Sequence, residues 1–150
     1  MKNAPLETAI PKNATVLLDT APLIAYLQGD ERISAAAARI VDGWIRTGRN
    51  RGIISVVSAM ELLSGTQRAG QVETTILDFL QHFPNLRCVE IDLAVARRAA
   101  SIRARTKLKT PDALIIASAV RHAAGAIVTN DGDWSKALPE LPIVTLSEFA

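Results

Sequence analysis

The chain of 150 residues carries 17 Lys and Arg against 15 Asp and Glu, a formal net charge of +2, with 49% apolar and 21% charged residues. This is ordinary globular usage at a length that fits one domain with a substantial core, and it excludes a disordered chain or one held to polyanions by bulk charge alone. No apolar run reaches the roughly 18 residues of a membrane span, no apolar stretch near the N-terminus resembles a secretory signal, and a lone cysteine, Cys88, cannot form an internal disulfide, so a cytoplasmic protein is expected.

Residues 1–13 hold two prolines and no periodicity, and they read as an N-terminal extension or loosely docked arm ahead of a domain spanning 14–150. Residues 15–18 are an apolar run of strand type that ends in a carboxylate, Asp19. A helix over 20–28 follows, with Pro22 in its opening turn and Gly29 as its stop. Apolar spacing through Ile33, Ala37, Ile40, Val41, Trp44 and Ile45 predicts a single helix over 30–48. Residues 53–57 make the second strand, and Ser58 with Glu61 has the spacing of a capping box that opens the next helix.

Helical period returns over 72–83 until Pro84 and Asn85 break it, and 86–91 is a third strand in which Cys88 packs. A helix over 92–108 sets Leu93, Ala96, Ala99 and Ile102 on one face. Thr110 as N-cap and Pro111 as first helical residue then open a helix that is apolar nearly all round, with Asp112 in its first turn. A fourth strand over 125–129 leads into Asn130, Asp131, Gly132, Asp133 and Trp134, and 141–146 gives a short last strand. Trp134 reads as the buried anchor of the final helix in preference to a platform on which a base could stack. Strands alternating with helices, several of them continuous Val/Ile/Leu runs, predict a three-layer α/β/α domain around a mostly parallel sheet of four to five strands.

Ligands of such sheets bind beyond the carboxyl ends of the strands. Asp19 ends the first strand, Glu61 follows the second, Asp131 follows the fourth, and Asp112 opens a helix at the edge where strands hand over to helices. Each has an ordinary alternative: helix cap for Asp19, capping-box partner for Glu61, dipole partner for Asp112, turn residue for Asp131. Taken singly those readings suffice, but they leave the shared edge unexplained. Crowded carboxylates raise one another's pKa unless a cation neutralises them. Without His or Cys, such a cluster suits Mg²⁺ or Mn²⁺, and phosphodiester hydrolysis is the chemistry it serves.

Four stretches carry a family resemblance: Val-Leu-Leu-Asp19-Thr-Ala-Pro-Leu-Ile-Ala-Tyr-Leu, Ile-Ser-Val-Val-Ser58-Ala-Met-Glu61-Leu-Leu-Ser-Gly, Lys-Thr-Pro-Asp112-Ala-Leu-Ile-Ile-Ala-Ser-Ala, and Ile-Val-Thr129-Asn130-Asp131-Gly-Asp133-Trp. In this order they resemble the PIN-domain ribonucleases, and among them the VapC-type toxins of toxin–antitoxin pairs. The resemblance implies a Mg²⁺- or Mn²⁺-dependent endoribonuclease with Asp19, Glu61, Asp112 and Asp131 as catalytic and metal-holding residues, and with Thr20, Thr129 and Asp133 assisting. It also implies an RNA substrate, a small cognate antitoxin protein and a homodimer. The departure from the pattern is the extension before the first strand.

Arg103, Arg105, Lys107 and Lys109, just ahead of Asp112, are candidates for gripping RNA phosphates, with a solvated helix face as the plain alternative. Arg46, Arg49 and Arg51 form a weaker second group, and His82 and His122 read as structural. A haloacid dehalogenase-type phosphatase would need an acid where Ala21 stands. The competing class is a catalytically silent PIN-like module that binds RNA or protein.

Overall fold

Strands Thr15–Leu18 (β1), Arg51–Ser55 (β2), Leu86–Val89 (β3), Ala126–Thr129 (β4) and Ile143–Thr145 (β5) pair in parallel throughout, in the order β3-β2-β1-β4-β5. They belong to a computed structural model that describes residues 5–69 and 72–150; residues 1–4 of the expected extension lie outside the described residues. The helices are Leu6–Ala9 (α1), Thr20–Gln28 (α2), Ser34–Ala38 (α3), Val56–Ala69 (α4), Glu73–His82 (α5), Leu93–Arg105 (α6), Thr110–Arg121 (α7) and Asp133–Ala137 (α8). Among the described residues no helix is long and apolar enough to cross a membrane.

The period of two along each strand divides the core into two layers. Val16, Leu18, Ile54, Val128 and Val144 face α1 to α5. Leu17, Ile53, Val89 and Ile127 face α6 and α7, whose Val95, Ile102, Ile115 and Ile116 are fully buried or nearly so. A sheet covered on both faces has no solvated side, which is why its strands read as unbroken apolar runs. Because β1 lies at the centre and the chain departs first to β2 and β3, then returns to β4, a crevice opens past the C-terminal ends of β1 and β4.

Three expectations need correction. The expected helix over 30–48 is broken: α3 starts at Ser34, whose hydroxyl donates to the Ala25 carbonyl at 2.7 Å, and the chain continues as a π-helix over Arg39–Ile45. The second strand stops at Ser55, two residues early, because pairing with β3 ends there and Ser55 Oγ accepts the Val57 N–H at 3.1 Å. Ser58 therefore sits within α4, and no capping box with Glu61 forms. The arm before β1 is firmly docked: Leu6 and Ile10 are buried in the core, and the buried Asn50 amide donates to the carbonyls of Pro11 and Ala14 at 2.9 Å each. Two apolar side chains spaced by one helical turn were too short a pattern to read as periodic.

Candidate active site

Asp19 leaves β1 with its backbone N–H still bonded to the Val128 carbonyl at 2.9 Å, so the sheet itself fixes its position. It is the N-cap of α2, yet its side chain caps nothing. Instead the Thr129 hydroxyl, at the end of β4, donates to Asp19 Oδ2 at 2.8 Å and accepts the Asp131 N–H at 3.0 Å. Asp131 Oδ1 in turn accepts the Asp133 N–H at 2.9 Å, the Asx geometry that starts α8. One hydroxyl thus ties the exits of the two central strands together.

On the other side of the cleft, the Thr20 hydroxyl donates to Glu61 Oε1 at 3.1 Å and lies 2.9 Å from Ser58 Oγ. Ser58 stands one helical turn before Glu61 on α4, fully buried. Ser58 is the site residue that sequence reasoning passed over; its place in the second quoted stretch was the available signal, obscured by the capping-box spacing. Asp112 sits in the first turn of α7, with Lys109 rather than Thr110 as the N-cap residue and Pro111 within the opening turn.

Asp19, Thr20, Glu61, Asp112, Asp131 and Asp133 line a cleft of about 650 Å³ with Ala21, Ile24, Asn130 and Gly132, and Thr129 and Ser58 support it from behind. Its electrostatics are those of like charges held together. Burial raises the pKa of Asp19 to about 6, opposed by the Thr129 hydroxyl and the Thr20 N–H and reinforced by the charges of Asp112 and Glu61. Asp112 is raised too, first by burial and then by Asp131 and Glu61, against the lowering effect of Trp134 and Lys109. Trp134 is buried completely, as its anchoring role requires, and its indole N–H finds no protein acceptor at full hydrogen-bond geometry. Its influence on Asp112 is to lower the carboxyl pKa. Asp19, Glu61, Asp112 and Asp131 all line this one cleft.

Among the described residues, no three carboxylate, imidazole or thiolate side chains are drawn close enough to grip an ion as they stand. The donor chemistry still fits a hard divalent cation: every donor is oxygen, and two carboxylates are pushed toward protonation by burial first and by neighbouring carboxylates second, a penalty that a cation offsets.

Residues 16–137 match the PIN domain family. The chain belongs to that family. Its fold is shared with a toxin–antitoxin complex from Klebsiella pneumoniae, at 26% identity and a TM-score of 0.66 over 87% of this chain and 97% of that one. VapBC2 from Rickettsia felis, bound to a DNA fragment from its promoter, matches at 17% identity and TM-score 0.69 over 87% and 97%. VapC20 from Mycobacterium tuberculosis, a sarcin-ricin loop cleaving toxin, matches at 15% and 0.66 over 81% and 94%. By sequence alone no curated protein is significantly similar to the chain.

The candidate RNA-gripping cations of this PIN domain are not gathered at the cleft. Arg105 pairs with Glu140 at 3.1 Å, Arg103 Nε reaches the Leu108 carbonyl at 3.4 Å, and Lys107 is exposed. Lys109 is the one whose charge acts on Asp112. The second group dissolves: Arg46 pairs with Asp42 and stacks on Phe83, and Arg49 stacks on Trp44, so both serve packing, while Arg51 points elsewhere at the start of β2. His82 pairs with Asp78 on the exposed side of α5, and half-buried Cys88 has its thiol pushed up by burial, which leaves it inert.

Proposed function

We propose that this PIN domain is a metal-dependent endoribonuclease and the toxin of a toxin–antitoxin pair. The observation that carries the reading is four carboxylates facing one open cleft at the carboxyl edge of the sheet, two of them raised in pKa by burial and by one another. Asp19, Glu61, Asp112 and Asp131 would hold Mg²⁺ or Mn²⁺. Bound there, the ion supplies an activated water and charge stabilisation for phosphodiester hydrolysis. Thr129 keeps Asp19 oriented while its own oxygen holds the Asp131 N–H; Thr20, backed by Ser58, does the same for Glu61. Asp133 lines the cleft mouth and assists there.

The antitoxin partner is inferred from relatives described as toxin–antitoxin complexes, the Klebsiella one at 26% identity. The homodimer, the RNA substrate and the cytoplasmic location rest on the family. The 15% identity to the sarcin-ricin loop cleaving toxin carries fold but not substrate.

The test is cleavage of purified RNA by the chain freed of any partner, with Mg²⁺ or Mn²⁺ and with chelator. Metal-dependent fragments are expected from the wild type, with Asp112→Asn slower by at least about a hundredfold, since even supporting residues around a metal cost 10–100-fold. Equal inertness of both folded proteins would return the reading to a silent binding module.

A further inference from the structure

At the N-terminal rim of the sheet, the end away from the acidic cleft, Thr15, Arg51, Asn85, Arg87 and His122 line a cavity of about 250 Å³. Strand register puts them there. Thr15 pairs with Arg51 and Ile53 with Arg87, and paired residues of parallel neighbours share a face, so both arginines stand on the side covered by α6 and α7. There α7 ends and delivers His122, whose Nδ1 lies 3.5 Å from Arg87 Nη2.

The acid that acts on this cluster, Asp92, is shared with other partners. Among the described residues neither Arg51 nor Arg87 has an ion-pair partner, and Asp92, at the start of α6, faces Arg121 at 3.9 Å. His122 is harder to protonate than usual, through burial and then through Arg87 and Arg121, with Asp92 acting in the opposite sense. The terminal carbonyls of α7 disfavour an anion, and part of that effect is offset because Ser118, Ala119 and Val120 already accept from His122, Ala124 and Ala123. Like charges on neighbouring strands cost stability. A bound anion would return that cost.

We propose that this pocket is a second nucleic-acid contact, an anion site that takes a backbone phosphate of the RNA outside the cleft where it would be cut; this rests on the nuclease reading. Polar side chains converge on the cavity from β1, β2, β3 and the end of α7, which suits a compact tetrahedral anion. Two guanidinium forks provide paired donors for phosphate oxygens, and the threonine hydroxyl adds a neutral one, while the Asn85 amide is held by the Ile45 and Arg46 carbonyls. The site lies about 13 Å from Asp19, four residues of strand at roughly 3.3 Å each. Longer RNAs would engage both rims, and short ones would not.

The chain supplies its own probe, because it has two histidines and His82, on α5 beside Asp78, serves as the reference. Imidazole NMR signals of the full chain are followed in chelator, so that nothing is cleaved, while inorganic phosphate, an RNA oligonucleotide and an acidic peptide are added in turn. Phosphate and RNA should each shift His122 saturably and leave His82 in place. Arg51→Gln with Arg87→Gln should weaken that response about tenfold, the loss expected for charge-assisted hydrogen bonds. A His122 signal blind to RNA, a response unchanged in the double variant, or a response to the peptide alone would overturn the proposal. Failure of the nuclease reading shows separately, as a wild type that cuts nothing with metal restored, whereas Asp112→Asn should lose cleavage and keep the His122 response.

Discussion

At the carboxyl rim of the sheet Asp19, Glu61, Asp112 and Asp131 face one another, and at the opposite rim, one strand length away, Arg51, Arg87 and His122 do the same. At both ends burial disfavours the charged form first and like-charge repulsion adds to it, with different outlets. A crowded carboxylate can take up a proton, and Asp19 moves toward doing so with its pKa raised to about 6. Arginine cannot release its proton in a protein, so at the basic rim the adjustment falls on His122, whose pKa is lowered instead. On the proposed readings, a divalent metal would serve as the counterion of the acidic rim and a phosphate as that of the basic one.

The largest stability effect is expected in the arm that leads into β1, whose Ile10 is fully buried in the layer that faces α1 to α5. Ile10→Ala should cost about 2–5 kcal/mol in urea unfolding, as large-to-small core changes do, while metal-dependent cleavage persists at temperatures where the variant is folded. A cost under about 0.5 kcal/mol would mean that the arm is dispensable.

The acidic rim makes a pH prediction of similar size. The pKa of Asp19 rises from 3.8 to about 6 on folding, so its stabilising share is complete below pH 3.8 and is lost as pH climbs through 6. At about 1.4 kcal/mol per pKa unit, the metal-free protein should lose about 3 kcal/mol across that window through this group. Asp19→Asn should flatten that part of the profile and leave the metal-free protein more stable at pH 7 than the wild type, although inactive. Thermal midpoints measured from pH 4 to 7 in chelator would show it, and parallel curves for the two proteins would contradict it.

A smaller effect should follow from Thr20→Val, which removes the donor to Glu61 without changing the burial of the cleft. Cleavage should fall about tenfold, within the range for residues that orient metal-holding groups, and a higher metal concentration should be needed for half-maximal rate. Thr20→Ser should recover most of the loss, because it restores the hydroxyl. Rescue failure would place the effect in packing against Ser58 and not in orientation.

Much of this was legible along the chain because the signals are local. Asp19 directly follows an apolar run, Asp112 follows Pro111, and Asp131 follows the fourth strand, so each carboxylate carried its own address at a strand exit or helix start. Ser58 was misread because its spacing to Glu61 mimics a cap; the strand actually ends at Ser55, and that boundary depends on how far β3 extends as a partner. Arg105 looked available for RNA because Glu140, its partner, lies 35 residues further along the chain.

The sequence by itself determined the alternation of strand and helix, the doubly covered parallel sheet and the four acidic positions, since these follow from periodicity and from the residue types at element ends. Tertiary structure alone decided that Thr129 would reach back across 110 residues to hold Asp19, that the N-terminal arm would be buried, and that Arg51, Arg87 and His122 would share a pocket. The physical reason is range. Backbone propensities act over a few residues, whereas charge, burial and hydrogen bonding act through space between segments whose neighbourhood exists only after the sheet has chosen the order β3-β2-β1-β4-β5.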